Sequence, residues 1–409
     1  MQFCKTKLPG GSVTLPYNSF VQPKKQKGKR DMNRKTLLAL LAALLVTVLV
    51  FAGCATEDAT PTTEPSTEAS TEAPTEAPTT EPPTTEPPTD PPTEAPTEPP
   101  ITNPLTGETL DAPLTNRFVA VTINNVKPAL PLTGINESAL YFEMFVNDYA
   151  TRGLAMYTNI EQVKQIGSVR SMRYNFTDIG VGYDAIVCHS GGSDSVLSDA
   201  KSSGVAQMNI DTSSRSSYSF RDSGRRSNGY SWEHTLYVDG TGIYNQAANK
   251  GFRTAIKEDK SFGLTFSEAS STVGGENAST LSITFNHKGY TKNSTFTYDE
   301  ASGEYLFSQY GMKMNDGNTG KRISFKNVIV IVTYVGNKSA SGNTYHVAEL
   351  EGSGSGYLAC NGKIVPVTWH RSGPNATFSF TLADGTPADL GIGNSYIAIA
   401  PTASTIGWE

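Results

Sequence analysis

Two arginines three positions apart are the most specific chemical feature of this sequence. Arg170 and Arg173 lie in the stretch Arg-Ser-Met-Arg, and on a helical turn their side chains would face the same way. Guanidinium groups bind carboxylate and phosphate through paired, fork-shaped hydrogen bonds. We therefore predict an anion receptor here, with Arg152 as a third member. The alternative is a structural network in which buried carboxylates neutralise the arginines. The carboxylates that would do this are Glu143, Asp178 and Asp184.

A loop of small residues follows the predicted strand 184–188. It contains Gly191 and Gly192, and Ser193 or Asp194 after them is a suitable N-cap for a helix through about Lys201. Backbone N–H groups at the start of a helix bind anions. Gly191 and Gly192 are therefore candidate ligand-binding residues. Their spacing differs from that of the glycine-rich nucleotide-binding motifs, which argues against a nucleotide.

His189 opens this loop and is the candidate general base. Asp184 or Glu143 would orient its ring. The alternative is a core histidine whose two ring nitrogens are satisfied within the protein. Ser190 lacks the sequence context of a strained nucleophile turn, so spacing alone supports a binding site more directly than a catalytic one.

His234 is another candidate, between Trp232 and Tyr237 and after a loop with several arginines. These arginines are Arg215, Arg221, Arg225 and Arg226. The loop is either a positive patch beside a Trp232 ring on which a sugar can stack, or a flexible Ser/Arg surface loop. Residues 103–409 contain no zinc or calcium pattern, and we predict neither a metal site nor a cofactor.

The strands and helices expected around these residues indicate an α+β or α/β N-terminal domain with a mixed sheet, at residues 103–265. Strands are predicted at 118–123, 139–146, 153–157 and 184–188. Asp239 is predicted to cap a helix from about 241 to 250 that ends at Gly251.

The C-terminal domain, 280–409, is predicted to be mostly β, with a sandwich or an open barrel preferred. A Gly/Ser-rich loop at 268–279 precedes it. The predicted strands are 281–285, 294–298, 305–309, 326–334, 344–350 and 396–400. Asn361-Gly362 predicts a type I′ hairpin that pairs Leu358 with Val365.

The first hundred residues predict export and lipid anchoring. Residues 1–31 precede a complete signal and are interpreted as a mis-called start. Residues 32–53 combine a basic start with a short apolar run, as in a secretory signal peptide. Cys54 ends a lipobox-like stretch, so its thiol is the predicted lipidation site; the alternative is an ordinary signal with a coincidental cysteine. Residues 54–102 consist of Thr/Pro/Glu units that cannot bury a core and predict a disordered stalk.

The net charge argues against a nucleic-acid-binding protein, and the positions of the cysteines bear on whether they form a disulfide. Residues 103–409 carry 24 Lys and Arg against 27 Asp and Glu, and this near-neutral balance argues against nucleic acid as a partner. Cys188 and Cys360 each lie in an apolar strand-like run. Buried free thiols are therefore predicted, with a disulfide between the two domains as the alternative.

The order of these motifs resembles that of the YerB-like bacterial lipoproteins. In the N-terminal part, the resemblance rests on 103–107, 123–125, Pro131, Gly134, 142–143, 151–152, 166–173, 183–185, 189–193 and 234–237. In the C-terminal part, it rests on 298–299, 303–305, 326–330, 352–354 and Trp369. Because this family is classed as a domain of unknown function in two pieces, the resemblance implies an envelope lipoprotein and supplies no reaction. The sequence departs from the family pattern at Ser168, Met172, 233–235 and Asn147. The Asn147 departure weakens any site that needs two carboxylates on the Glu143 strand.

These observations predict a lipid-anchored protein on the extracellular face of the bacterial membrane. The favoured hypothesis is a non-catalytic protein whose N-terminal domain binds an anionic or saccharide-containing cell-wall component, or a protein partner. The alternative is an envelope hydrolase or transferase that uses His189 and Glu143 with Arg170 and Arg173. A purely structural role is the third hypothesis. Two observations discriminate between these hypotheses: whether His189, Arg170 and Arg173 converge in an open pocket, and whether polar groups there are unpaired.

Overall fold

A mixed β-sheet of eleven strands runs through the described part of the chain and carries much of its hydrophobic core. The computed structural model describes residues 99–147, 149–258, 260–340 and 342–409. The predicted signal peptide, Cys54 and almost all of the predicted stalk therefore lie outside the described residues. Among the residues that are described, no helix has the length and apolar character needed to cross a membrane.

Helices and strands alternate in the first part of the described chain. The strands are β1 Val119–Asn124, β2 Leu140–Asn147, β3 Ala150–Tyr157, β4 Ile166–Gly167, β5 Ile186–His189, β6 Ala206–Asn209, β7 Ser219–Arg221, β8 Leu236–Val238 and β9 Phe266–Ser267. The α-helices are α1 Tyr174–Gly182, α2 Asp194–Ser203, α3 Ser223–Ser227 and α4 Ile243–Asn249. The short 3₁₀ helices are Lys127–Ala129, Ile160–Gln162, Trp232–His234 and Gly240–Gly242.

The remainder of the described chain consists of strands and connections. These strands are β10 Glu276–Asn277, β11 Thr280–His287, β12 Tyr290–Asp299, β13 Glu304–Gln309, β14 Met312–Lys313, β15 Ser324–Phe325, β16 Asn327–Thr333, β17 Val335–Ala340, β18 Asn343–Ala348, β19 Gly352–Cys360, β20 Lys363–Arg371, β21 Ser379–Thr381, β22 Leu390–Gly391, β23 Ser395–Pro401 and β24 Thr405–Trp408.

The large sheet continues from the N-terminal into the C-terminal part of the described chain. Its order is β10-β20-β19-β16-β23-β2-β3-β1-β5-β6, with β21 paired to β20. The junction is the parallel pair β2–β23, in which Glu143 lies opposite Ala398. Parallel pairs also join β16 to β23, β1 to β5 and β5 to β6, and the other neighbours are antiparallel. The expected mixed sheet is confirmed, whereas the boundaries 103–265 and 280–409 stay predictions.

A second, antiparallel sheet covers one face of the large sheet. Its order is β14-β13-β12-β11-β24, with β15 paired to β13. Its Phe296 and Phe307 rings lie 4.7 and 5.6 Å from the ring of Tyr396 on β23, and the Tyr141 ring on β2 lies 5.8 Å from Tyr396. This face-to-face packing matches the preferred sandwich, and the mostly-β character of the C-terminal part is confirmed.

The hairpin expected at Asn361-Gly362 is confirmed. Both residues have positive φ angles, 52° and 71°, as a type I′ turn requires. The flanking strands β19 and β20 pair in the predicted register, with Leu358 opposite Val365.

Helix α1 packs on the other face of the large sheet, and its position is fixed by the C-terminal part of the chain. The Asn175 side chain donates to the Ala348 carbonyl and accepts from the Ala348 amide, both at 2.8 Å. Arg371 Nη2 donates to the Asp178 carbonyl at 2.8 Å. The sequence patterns do not predict this helix, because its glycines and β-branched residues are weak helix formers. Tertiary hydrogen bonds therefore stabilise a helix that local helix propensity alone does not favour.

A buried ion pair joins β2 to the second sheet. Lys292 Nζ on β12 lies 2.6 Å from Glu143 Oε1 on β2, and the side chains are 4% and 0% exposed. Glu143 also accepts hydrogen bonds from Thr151, Tyr396 and Ser294 at 2.6, 2.6 and 3.3 Å. Burial lowers the pKa of Lys292, while the Glu143 carboxylate opposes that shift. Because every partner is desolvated, this network is stable only when it is complete.

Replacement of Lys292 by Met tests this network. We expect Lys292→Met to lower the free energy of unfolding by about 3–5 kcal/mol, because it leaves a buried carboxylate without its cation. The double variant Glu143→Gln/Lys292→Met is the matched control and should recover much of the loss. Urea denaturation measures both. Equal stability of Lys292→Met and the wild-type protein would contradict the prediction.

Asp178 on α1 gives the fold a pH dependence. Burial, opposed by Arg371 and reinforced by Asp199 and Glu351, raises the pKa of Asp178 to about 6. The folded state therefore binds this proton more tightly than the unfolded chain. The protonated Asp178 carboxyl therefore stabilises the folded state fully below the unfolded-state pKa of about 4. This contribution to the free energy of unfolding is lost as the pH rises through about 6.

Replacement of Asp178 by Asn should therefore stabilise the protein more at pH 7.5 than at pH 5, relative to the wild-type protein at the same pH. Thermal melting at the two pH values measures the difference. Glu258→Gln, at an exposed position, is the control for loss of a surface carboxylate. A gain for Asp178→Asn that is the same at both pH values would count against the raised pKa.

Candidate anion-binding cleft

A cleft of about 530 Å³ opens beside the N-terminus of α2. We call it the arginine cleft. Its lining residues are Val146, Asn147, Tyr149, Ser171, Arg173, Gly192, Ser193, Gly342, Asn343, Thr344 and Tyr345. The ends of β2 and β3, the loop before α2 and the β17–β18 turn therefore meet at one place.

The segment that carries Arg170 and Arg173 is extended, which corrects the expected helical turn. Helix α1 begins only at Tyr174, and its N-cap Arg173 has φ −140° and ψ 159°. Backbone hydrogen bonds hold the segment in place, from the Arg170 amide to the Thr122 carbonyl at 3.0 Å and from the Met172 amide to the Gly191 carbonyl at 2.9 Å. The arginines are thus positioned by their neighbours in the tertiary fold and not by helical spacing.

Three guanidinium groups come together beside the cleft. Arg152 is 5% exposed, and its Nη1 donates to the Ser171 carbonyl at 2.8 Å. Burial holds the pKa of Arg152 well below its usual value, and the nearby charges of Arg173 and Arg170 lower it further. Burial also lowers the pKa of Arg173 to about 10; Tyr345 opposes that shift and Arg170 adds to it.

The carboxylates expected to neutralise these arginines lie elsewhere. Within the described ranges, the ion pair of Arg170 is with Glu233, at 2.7 Å, and neither Arg152 nor Arg173 has a carboxylate within 4.0 Å. The Nε atoms of Arg170 and Arg173 are buried and have no hydrogen-bond partner in the described residues. The cluster therefore has an excess of positive charge and unused donors.

The loop before α2 contributes backbone donors to the same cleft. The Ser190 amide donates to the Arg170 carbonyl at 2.9 Å, and the Gly191 amide donates to Asn209 Oδ1 at 3.0 Å, so these two N–H groups are committed. Gly192 and Ser193 line the cleft, and the Ser193 side chain caps no amide of the ten-residue helix α2. The helix N-terminus thus adds its positive potential at the arginine cluster.

Sequence reasoning missed the far wall of the cleft. Asn147 is the last residue of β2 and Tyr149 directly precedes β3, whereas residues 342–345 form the turn and the start of the second strand of the β17–β18 ribbon. Strand β17 is not predicted from the sequence, although Gly342-Asn343 between two short runs is a turn signal. No local signal places this turn opposite Arg173, because the two are about 170 residues apart in the chain.

Both ring nitrogens of His189 have contacts within the protein. Its Nδ1 lies 2.8 Å from the Gly191 carbonyl and its Nε2 lies 2.5 Å from Gln207 Oε1. Burial lowers its pKa, with these two hydrogen bonds acting in the opposite direction. Because both ring nitrogens are engaged, the ring corresponds to the satisfied core histidine.

Asp184 and Glu143 do not orient His189. Asp184 pairs with Arg117 at 3.1 Å and with Arg253, before the start of β5, whereas His189 ends that strand. Glu143 faces the core shared with the second sheet, and side-chain alternation along β5 points His189 to the opposite face of the large sheet. The three residues do not form one constellation.

His234 belongs to a separate, smaller pocket of about 370 Å³. Its Nδ1 lies 2.8 Å from Asn124 Nδ2, and its Nε2 lies 3.6 Å from Glu233 Oε1. Burial lowers its pKa; Glu233 opposes that shift, and Arg170 and Arg225 add to it. Glu233 therefore connects this pocket to the arginine cluster.

The arginine-rich loop before His234 is largely engaged in internal contacts. Arg221 pairs with Asp211 and stacks over the Trp232 ring at 4.0 Å, which covers a surface expected to receive a sugar. Arg225 is buried and donates to the carbonyls of Ala129 and Pro131, each at 2.7 Å. Arg221 and Arg225 are thus engaged in internal contacts, whereas Arg215 and Arg226 are exposed, so the positive patch and the surface loop both stay predictions.

Two further sequence expectations concern cysteines and metals. Cys188 and Cys360 are both free and buried, as predicted for buried free thiols.

In the described part of the chain, no group of three or more His, Cys, Asp and Glu side chains is arranged to hold a metal ion.

Comparisons with known proteins match both parts of the described chain. Residues 105–253 match the family described as "Protein of unknown function (DUF3048) N-terminal domain", and residues 281–397 match its C-terminal domain. A Bacillus subtilis (strain 168) protein named "Putative lipoprotein YerB" is 24% identical over 280 residues, which cover 64% of this chain and 78% of that protein.

The crystal structure of YerB protein from Bacillus subtilis has the same fold. It superposes with a TM-score of 0.63 at 23% identity and covers 75% of this chain and 99% of that structure. The continuous sheet and its covering layers are thus a shared architecture. The chain belongs to the YerB-like family, whose members combine the N-terminal and C-terminal DUF3048 domains.

Proposed function

We propose that this protein binds an anionic ligand of the cell envelope in the arginine cleft and catalyses no reaction there. The observation that carries the proposal is the charge beside the cleft. Among the described residues, Arg152, Arg170 and Arg173 come together with the carboxylate of Glu233, whose side chain is 50% exposed. Guanidinium groups held close together in a partly desolvated site attract an anion strongly, because their mutual repulsion is relieved when it binds.

The donors at the cleft suit a carboxylate or a phosphate group. Arg173 supplies a guanidinium that is not used in an ion pair with any described residue. Gly192 and Ser193 supply backbone N–H groups at the start of α2. An oxyanion bridging the two would receive both charge-assisted and backbone hydrogen bonds.

The alternative, an envelope hydrolase or transferase, lacks a placed general base. His189 has both ring nitrogens engaged within the protein. Glu143 is fully buried against Lys292 on the opposite face of the sheet. Neither side chain lines the cleft, so neither is placed to move a proton on a ligand bound there.

The location of this activity is also a proposal. The signal peptide at 32–53 and the lipidated Cys54 would hold the protein at the extracellular face of the membrane, and the stalk would carry the cleft towards the wall. The name of the Bacillus subtilis relative, a putative lipoprotein, supports this anchoring. The proposed partners are therefore an anionic or saccharide-containing wall polymer or an envelope protein with an exposed anionic group.

Charge changes on the two sides of the cluster should shift anion affinity in opposite directions. We expect Arg173→Ala to weaken binding of inorganic phosphate at least about tenfold, because it removes a charge-assisted pair of hydrogen bonds. Glu233→Gln should strengthen binding, because it removes the carboxylate that competes for Arg170. Isothermal titration calorimetry at low salt measures both.

Arg215→Ala, at a side chain that is 67% exposed, controls for the loss of one surface charge. Since Arg173 neutralises no carboxylate in the described residues, its removal should leave the melting temperature nearly unchanged. An unchanged phosphate affinity for Arg173→Ala, or a large fall in its melting temperature, would remove the basis of the proposed function.

Replacement of Cys54 by Ala tests the membrane anchor. The variant should lose acylation and be released from membranes, because the diacyl chains supply the binding energy. Metabolic labelling with a fatty-acid probe, followed by membrane fractionation, measures both effects. Label retained by Cys54→Ala would exclude the lipobox.

A further inference from the structure

Asn147 places an unused amide in the arginine cleft. It is the last residue of β2 and follows an irregularity in the pairing of β2 with β3. Its Oδ1 atom is buried, and no group in the described residues donates a hydrogen bond to it. A buried acceptor without a donor costs about 1–3 kcal/mol. The cleft therefore has an unmade hydrogen bond at Asn147 in addition to the excess positive charge beside it.

An ionised acid on its own does not supply the missing contact. A carboxylate or phosphodiester offers acceptors, which match the unused Nε donor of the cleft-lining Arg173. It offers no hydrogen for Asn147 Oδ1. A hydroxyl group both donates and accepts, and therefore matches either orientation of the Asn147 amide. The unpaired atoms of the cleft together require an anionic group and a hydroxyl group on the same occupant.

The remaining lining has the chemistry of a site for hydroxylated ligands. Ser171, Ser193 and Thr344 contribute side-chain hydroxyl groups to the wall. The Tyr149 ring is 78% exposed at the cleft and offers an aromatic face to the C–H groups of a polyol or sugar. A volume of about 530 Å³ leaves room for an organic group of several carbons beside a bound phosphate.

We infer that the occupant of the arginine cleft is a phosphate ester of a polyol or sugar, with its phosphate at Arg173 and the α2 N-terminus and a hydroxyl group at Asn147. This inference rests on the proposed function and names the ligand class for the same site. Asn147 is then the residue that distinguishes such an ester from a simple anion.

Two small esters that differ only in hydroxyl groups test this inference. Glycerol 3-phosphate and n-propyl phosphate have the same charge and carbon chain. We expect the wild-type protein to bind glycerol 3-phosphate about tenfold more tightly, because only that ester satisfies the buried amide. Asn147→Leu should abolish the preference for glycerol 3-phosphate over n-propyl phosphate, and circular dichroism with thermal melting checks that the variant is folded.

Asn249→Leu, at an exposed residue at the end of α4, is the matched control and should keep the preference. Equal affinities of the wild-type protein for the two esters, or a preference that survives in Asn147→Leu, would overturn the inference while leaving anion binding intact. If neither ester binds, the proposed function fails and the inference fails with it.

Discussion

The buried pair between Glu143 and Lys292 is the interaction on which the arrangement of the described chain depends. It connects the central strand β2 to the second sheet, at the place where the N-terminal and C-terminal strands meet through β2 and β23. A carboxylate at this depth requires its cation and its hydroxyl donors. The register of the two sheets is therefore tied to the pairing of one charged residue from each part of the chain.

That pairing also explains why Glu143 does not neutralise the arginine cluster. Glu143 lies opposite Gly153, and the adjacent Arg152 lies opposite Met144, so strand alternation sends Glu143 and Arg152 to opposite faces of the sheet. Lys292 neutralises Glu143 on one face. Arg152 remains on the other face beside two more arginines. The sheet thus separates charges that are close in sequence and creates a site with excess positive charge.

The cleft is assembled by both family segments. The arginines and the helix N-terminus come from the N-terminal segment, whereas the wall opposite comes from the β17–β18 ribbon of the C-terminal segment. Lys338 of this ribbon lies over the Tyr174 ring at 3.7 Å, which fixes the ribbon against α1. The continuous large sheet gives the donors and the opposing wall of the cleft one rigid support.

The sequence by itself determined the features that depend on local periodicity and turn chemistry. These include the buried strand ending at His189, the helix after Ser193 and the hairpin register of Leu358 with Val365. The anion receptor at the arginines stays a prediction, and the helical turn expected there is wrong, because the backbone is extended. Only the tertiary structure decided that Asp184 forms ion pairs with Arg117 and Arg253 and that Glu143 forms one with Lys292. The physical reason is that an ion pair forms between side chains that strand register and sheet packing bring together. The type of a residue indicates that its charge needs a partner, but it does not indicate which distant residue is that partner.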